Sequence, residues 1–260
     1  MTSTLFSTRD AIDRERFYAE RRISAGHRLL HEAVGDGALG GLWVVRGPLR
    51  ERSSVIDGIA AASLIDRRSI TYASLHRSSS QIGLSVVATG AETSVQQLVD
   101  GAAGDRTAIG FELSETRLFD IVGTDLDLVE GLRHAAPPDL GRPLDLLVLD
   151  GVDLAPHRVM QALQVEDMAH GRADWIGAFR YLARHSATTV ILATGDDVLG
   201  GRPDPDIGDH DVLIDVGWHD DRQMEFPVTV TSGRFERTRL LASWIPHRDG
   251  LAWRPAPDRS

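Results

Sequence analysis

The sequence contains no lysine, no asparagine and no cysteine, and all 28 basic residues are arginines. Lysine and asparagine codons begin with the same two bases, so GC-rich codon usage explains both absences; selection against lysine modification is the alternative. The absence of cysteine excludes disulfides and thiolate chemistry. The absence of lysine excludes any phosphate-binding loop that relies on a lysine ammonium group.

Long apolar runs are also missing, so neither a membrane helix of about 20 residues nor a signal peptide is predicted. We therefore expect a cytoplasmic protein. The 260 residues, 42% hydrophobic and 25% charged, favour one large globular domain with a real core. The formal net charge of −10 argues against broad affinity for nucleic acid, although a local basic channel stays open.

Short apolar runs alternate with helical patterns along the chain, which predicts an α/β fold with a mostly parallel sheet flanked by helices. An antiparallel hairpin is expected near the C-terminus. The predicted organisation is a helical lead-in (1–34), a core (35–246) and a flexible tail (247–260). The predicted strands are 42–45, 69–73, 117–122, 144–150, 188–193, 211–216, 227–231 and 238–244, with helices at 8–34, 54–65, 78–89, 92–103, from 125 to about 135, and 158–185.

Residues 47–54 have the outline of a P-loop between a strand and a helix. A P-loop reads G-x-x-x-x-G-K-[ST], in which glycines admit phosphate and the lysine reaches the β and γ oxygens. Gly47 and Ser54 match this pattern, but Arg52 and Ser53 replace its second glycine and its lysine. Arg50 and Arg52 are candidates for phosphate contact. The pattern predicts a nucleotide-binding fold that has lost, or nearly lost, its ATPase activity.

The order of these motifs resembles the RecA-like core of the DnaB-type replicative helicase family over residues 22–246. Four segments carry the resemblance. They are Ile23-Ser-Ala-Gly26 with Gly40-Gly-Leu42, Thr71-Tyr-Ala-Ser-Leu75, Leu146-Leu-Val-Leu-Asp150 with Leu154, and the acidic segment from Asp206 to Asp211. The resemblance implies a RecA-like P-loop fold whose relatives use ATP and Mg²⁺.

Carried over residue by residue, the resemblance implies mostly losses. The family's P-loop lysine falls on Ser53, and its catalytic glutamate falls on His76. Of a lysine and arginine pair that reaches a neighbouring subunit, only Arg234 is retained, with Arg237 nearby as a further subunit or DNA contact. Asp150 is kept as the Mg²⁺ ligand, with Ser54 as its partner. Phosphoryl transfer depends on positioned charge, so these losses predict a site that does not turn over.

The predicted function is that of a non-hydrolysing accessory factor in DNA replication, recombination or repair. It would bind DNA, another RecA-like or replisome protein, or copies of itself. One alternative is a DNA-stimulated ATPase that uses arginine in place of lysine. Another is a metal-dependent DNA nuclease built on an acidic cluster, for which a solvated loop is the simpler interpretation. Its residues are Asp204, Asp206, Asp209, His210, Asp211 and Asp215.

Overall fold

A computed structural model describes ten stretches of the chain, namely residues 23–35, 41–102, 119–125, 130–132, 144–151, 154–163, 175–195, 211–220, 224–232 and 237–257. The predicted helix over residues 8–22, the acidic residues 204–210 and Arg234 lie outside them. Among the described helices, none has the length and apolar character that a membrane crossing requires.

The strands and helices follow the predicted alternation. The strands are β1 (Leu42–Arg46), β2 (Ile70–Ser74), β3 (Phe119–Val122), β4 (Leu146–Asp150), β5 (Thr189–Thr194), β6 (Val212–Val216), β7 (Glu225–Ser232), β8 (Arg237–Trp244) and β9 (Leu251–Pro255). The helices are α1 (Arg28–Val34), α2 (Leu49–Ile65), α3 (Ser79–Gly90), α4 (Val95–Val99), α5 (Pro156–Ala162) and α6 (Trp175–Ser186).

These strands form a single sheet in the order β3-β2-β4-β5-β1-β6-β7-β8-β9. In this order, the first six strands, from β3 at the edge to β6, pair with one another in parallel. From β6 to β9 each pairing is antiparallel. The predicted α/β class, its mostly parallel sheet and its C-terminal antiparallel strands are therefore confirmed. The carboxyl ends of β1, β2, β4 and β5 meet at one edge, where open parallel sheets bind ligands.

Both faces of the parallel strands are buried, which explains why their sequences are continuously apolar. Successive side chains of a strand point to opposite faces. In β4, Leu146 and Val148 therefore join the core beneath α1, α2 and α3. Leu147 and Leu149 join the second core, to which α5 and α6 contribute. The sheet is thus held rigidly between two layers, and its carboxyl edge is a fixed platform.

Four sequence predictions differ from the structure. Helix α2 begins at Leu49, five residues before the predicted start at Ser54, directly after Pro48. Helix α1 begins only at Arg28, because Gly26 adopts a φ of 84° and the His27 side chain caps the helix. The expectation of a flexible tail is wrong for residues 251–255, which form β9 and pair with β8. Helix α4 is also shorter than predicted.

Candidate functional site: a buried arginine–aspartate pair at the carboxyl edge of the sheet

The connection from β1 to α2 consists of only two residues. Gly47 follows β1, Pro48 precedes the first helical residue, and residues 49–54 form the first turns of α2. The segment Leu49-Arg-Glu-Arg52 consists of good helix formers, and no glycine interrupts it. The residues predicted to wrap around phosphate are therefore helical, and the backbone N–H groups beyond the first turn are used within the helix.

The helix also separates the predicted phosphate-contacting residues onto two faces. Residues four apart on a helix share a face, whereas residues two apart point in nearly opposite directions. Arg50 and Ser54 accordingly line one groove. Arg52 is buried and faces Asp150 instead. The structure does not bring Ser54 to Asp150, because the Ser54 hydroxyl donates to the backbone oxygen of Arg50 at 3.0 Å.

Arg52 and Asp150 form an ion pair at the carboxyl edge of the sheet. The Nε and NH2 groups of Arg52 donate to Asp150 Oδ1 at 3.3 and 3.2 Å, and NH1 donates to the Gly47 oxygen at 3.0 Å. The side chains are 4% and 0% exposed, respectively. Ser74 donates its hydroxyl to Asp150 Oδ2 at 3.0 Å. The carboxylate that was predicted to bind Mg²⁺ is thus neutralised from within the chain.

Gly47 has a structural role at this edge that requires no ligand. Its φ is 138°, and a Cβ at this position would lie 2.2 Å from the Val216 backbone oxygen. Its N–H group donates to the Thr194 oxygen at 3.2 Å. Glycine is therefore required here for close packing between strands, and its N–H group is already used by the protein.

Ser53 and His76, which were predicted to stand at the lysine and glutamate positions, are both close to this pair. Ser53 is buried, and its hydroxyl has no hydrogen-bond partner within the described residues. His76 Nε2 is also buried without a partner among them. The imidazole lies against Gly151, where an added Cβ would be 2.6 Å from Nε2. The backbone N–H of His76 donates to Ser74 Oγ at 3.1 Å.

A second buried polar cluster, which the sequence analysis missed, lies between β2, α2 and α3. Both NH groups of Arg77 donate to the Asp57 carboxylate at 2.8 Å, and Tyr72 and Ser85 donate to the same carboxylate. Burial and the Asp57 charge raise the pKa of Tyr72 well above 10.0. The cluster fixes the start of α3 relative to α2. No motif marks it, since its members lie on three separate elements.

The remaining predicted contacts are dispersed. Of the acidic cluster, Asp211 and Asp215 are described, and they form ion pairs with Arg180 at 2.5 Å and Arg46 at 2.6 Å. The described residues include no group of three or more acidic or histidine side chains that could hold a metal. Arg237 is exposed at the start of β8.

Comparison with solved structures identifies the fold. The chain is similar to a DnaB-like replicative helicase, solved in a study of that helicase and its interactions with primase. The TM-score is 0.56 at 11% identity, and the match covers 81% of this chain and 58% of the helicase. It is also similar to the ATPase domain of G40P, with TM-score 0.56, 8% identity, and coverage of 81% and 83%, respectively.

Comparison at the level of sequence assigns no family to the chain. No family model and no curated protein matches the chain. At these identities the likeness concerns the fold alone, and the chain spans little more than half of the DnaB-like helicase. The nine-stranded sheet, its flanking helices and these two structural relatives together establish a RecA-like fold of the kind found in DnaB-like helicases.

Proposed function

We propose that this chain is a DnaB/RecA-like helicase-core homologue with a degenerate ATP site that does not hydrolyse ATP. It would act in the cytoplasm as an accessory factor in DNA replication, recombination or repair, by binding DNA or a protein partner. The observation that carries the proposal is the buried pair of Arg52 and Asp150. It places a guanidinium where a nucleotide site of this fold needs Mg²⁺ and phosphate.

Energetics support the absence of turnover. Mg²⁺ bound at Asp150 would have to displace Arg52, and the freed guanidinium would then need a new partner. Breaking one side of a buried pair costs about 3–5 kcal/mol. The other groups that stabilise transferred phosphate are also replaced, since Ser53 and His76 stand at the lysine and glutamate positions. The arginine-based ATPase is disfavoured for the same reason, because Arg52 is already bound to Asp150.

The proposed partner class follows from the fold. A RecA-like core that does not hydrolyse ATP still has surfaces that can bind DNA, another copy of the chain or another protein. One structural relative was solved in a study of a helicase and its interactions with primase, so replisome proteins are the first candidates. The nuclease alternative gains nothing from the described residues, because Asp211 and Asp215 are engaged by arginines.

The test is nucleotide binding by isothermal titration calorimetry, with ATP, ADP and Mg²⁺, on the wild type and two variants. The wild type should give no binding heat, and its phosphate release should equal that of Asp150→Asn. The variant Arg52→Gly with Ser53→Lys restores G-x-x-x-x-G-K-S at residues 47–54 and frees Asp150. Micromolar ATP binding by the wild type would disprove the proposal that the pair of Arg52 and Asp150 blocks the nucleotide site. Binding gained only in the restored variant would support it.

A further inference from the structure

A groove of about 530 Å³ lies on the other face of α2 from the buried pair. Its walls are the first turns of α2, the adjoining face of α3 and the segment that follows β8. Arg50 lies on one wall, with Trp244 beneath it and Met224 beside it. Arg248 and Asp249, which follow β8, also line the groove. Four of the lining residues continue into a second, smaller groove along α2.

Arg50 differs from the arginines that stabilise the fold. Arg46, Arg52 and Arg77 each bind a carboxylate of the same chain. In the described part of the chain, the Arg50 guanidinium has neither a hydrogen bond nor an ion pair, and its carbon lies 4.4 Å from the centre of the Trp244 ring. Stacking on the ring occupies one face of the guanidinium and leaves the N–H groups at its rim free to donate.

The platform beneath Arg50 is rigid. The Trp244 ring packs against Phe226 at 5.0 Å and against the edge of His219 at 5.1 Å between ring centres. His219 in turn bonds to the buried carboxylate of Glu51, one residue after Arg50. The ring on which the guanidinium stacks is therefore positioned by the fold before any ligand arrives.

Large apolar side chains line the groove or stand next to its neighbouring residues in the sequence. Met224 lines the groove and is 45% exposed, and Trp218, which precedes His219, is 72% exposed. Leu49, the first residue of α2, is 41% exposed. Tryptophan, methionine and arginine are the residues enriched at protein interfaces, and a stacked arginine among apolar side chains is typical of an interaction hot spot.

We propose that this groove binds a short segment of a partner protein in which a carboxylate side chain lies next to a large apolar one. The carboxylate would receive two N–H groups from Arg50, whose planar fork matches it, and the apolar side chain would pack on Met224 and Trp244. Nucleic acid fits less well. Arg248, the other arginine of the groove, is bound to Glu92, so Arg50 can receive one carboxylate but not a run of phosphates.

This inference rests on the protein-binding part of the proposed function, and its test separates the two. A library of random 16-residue peptides displayed on phage is selected on the immobilised wild-type chain. Selection is repeated on Arg50→Glu and on Arg67→Glu. Arg67 is an exposed arginine just beyond the other end of α2 and provides the matched control. Binding of the selected peptides is then measured by fluorescence anisotropy, with labelled oligo-dT as a competitor.

The expected peptides carry Asp or Glu beside Leu, Phe or Trp. They should bind the wild type and Arg67→Glu equally, and Arg50→Glu about tenfold or more weakly, since a bidentate charge-assisted contact is lost. Arg50→Gln, which keeps size and removes charge, should fall between them. Peptides without acidic residues, equal binding to Arg50→Glu, or displacement by oligo-dT would each overturn the proposal. ATP binding by the wild type would refute the proposal that the nucleotide site is blocked, and it would leave the result on peptide binding unchanged.

Discussion

The pair of Arg52 and Asp150 predicts a strong energetic coupling that a double-mutant cycle measures. Arg52→Met leaves the fully buried Asp150 carboxylate with the Ser74 hydroxyl as its one side-chain partner among the described residues. Removing one member of a buried pair costs about 3–5 kcal/mol. Asp150→Leu should cost a similar amount, because it strands the guanidinium. The double variant removes both charges, so its loss should be at least about 2 kcal/mol smaller than the sum of the single losses.

The assay is urea unfolding of the four proteins, followed by far-UV circular dichroism. The matched control is the partly exposed pair of Arg46 and Asp215, whose side chains are 16% and 30% exposed. The same cycle there should give a coupling of less than about 1 kcal/mol. Additive losses at Arg52 and Asp150 would refute the reasoning. So would Mg²⁺ that raises the wild-type unfolding midpoint, because it would show that the ion reaches Asp150.

Three further outcomes are expected. Gly47→Ala should destabilise the chain by about 1–3 kcal/mol in urea unfolding, since its φ is positive and its Cβ would lie 2.2 Å from a β6 carbonyl oxygen. Gly195→Ala is the control, since no atom of the described residues lies within 4 Å of the added Cβ. Hydrogen bonds from the Ser79 side chain and backbone lower the pKa of Asp125. The wild type should therefore be more stable than Asp125→Asn above pH 3.8, and this difference should vanish as the pH falls further. Tyr72 should not ionise in native protein as pH passes 10, as followed by ultraviolet absorbance.

Much of the fold could be predicted because buried parallel strands leave a plain signal. The runs at 42–45, 144–150 and 188–193 are mostly apolar, and each became a central strand. The hairpin of β7 and β8 was also predictable from its alternating residues. Strand β9 was not predicted, because Arg254, Pro255 and the nearby Pro257 are typical of an irregular tail. It is an edge strand, where such residues are tolerated.

The candidate site was predicted in position but not in geometry. Sequence placed Gly47, Arg52 and Asp150 at one edge of the sheet, as the structure does. It treated residues 47–54 as a loop because they aligned with one, although Leu49 to Arg52 are strong helix formers. Once the segment is helical, the period of 3.6 residues sends Arg50 and Arg52 to opposite faces. The contact between Arg50 and Trp244 joins residues far apart in sequence, and no local pattern indicates it.

The packing of α1 sets the order in which this chain can complete its fold. The buried side chains of α1, among them Leu30 and Val34, contact β7, β8 and β9, and His27 stacks on Trp253 at 6.2 Å between ring centres. The first described helix therefore depends on the last described strands. During synthesis α1 emerges long before its partners, and its apolar face stays uncovered until β9 is made. Contacts over so long a separation form slowly, so newly made chains should depend on chaperones until the sheet is complete.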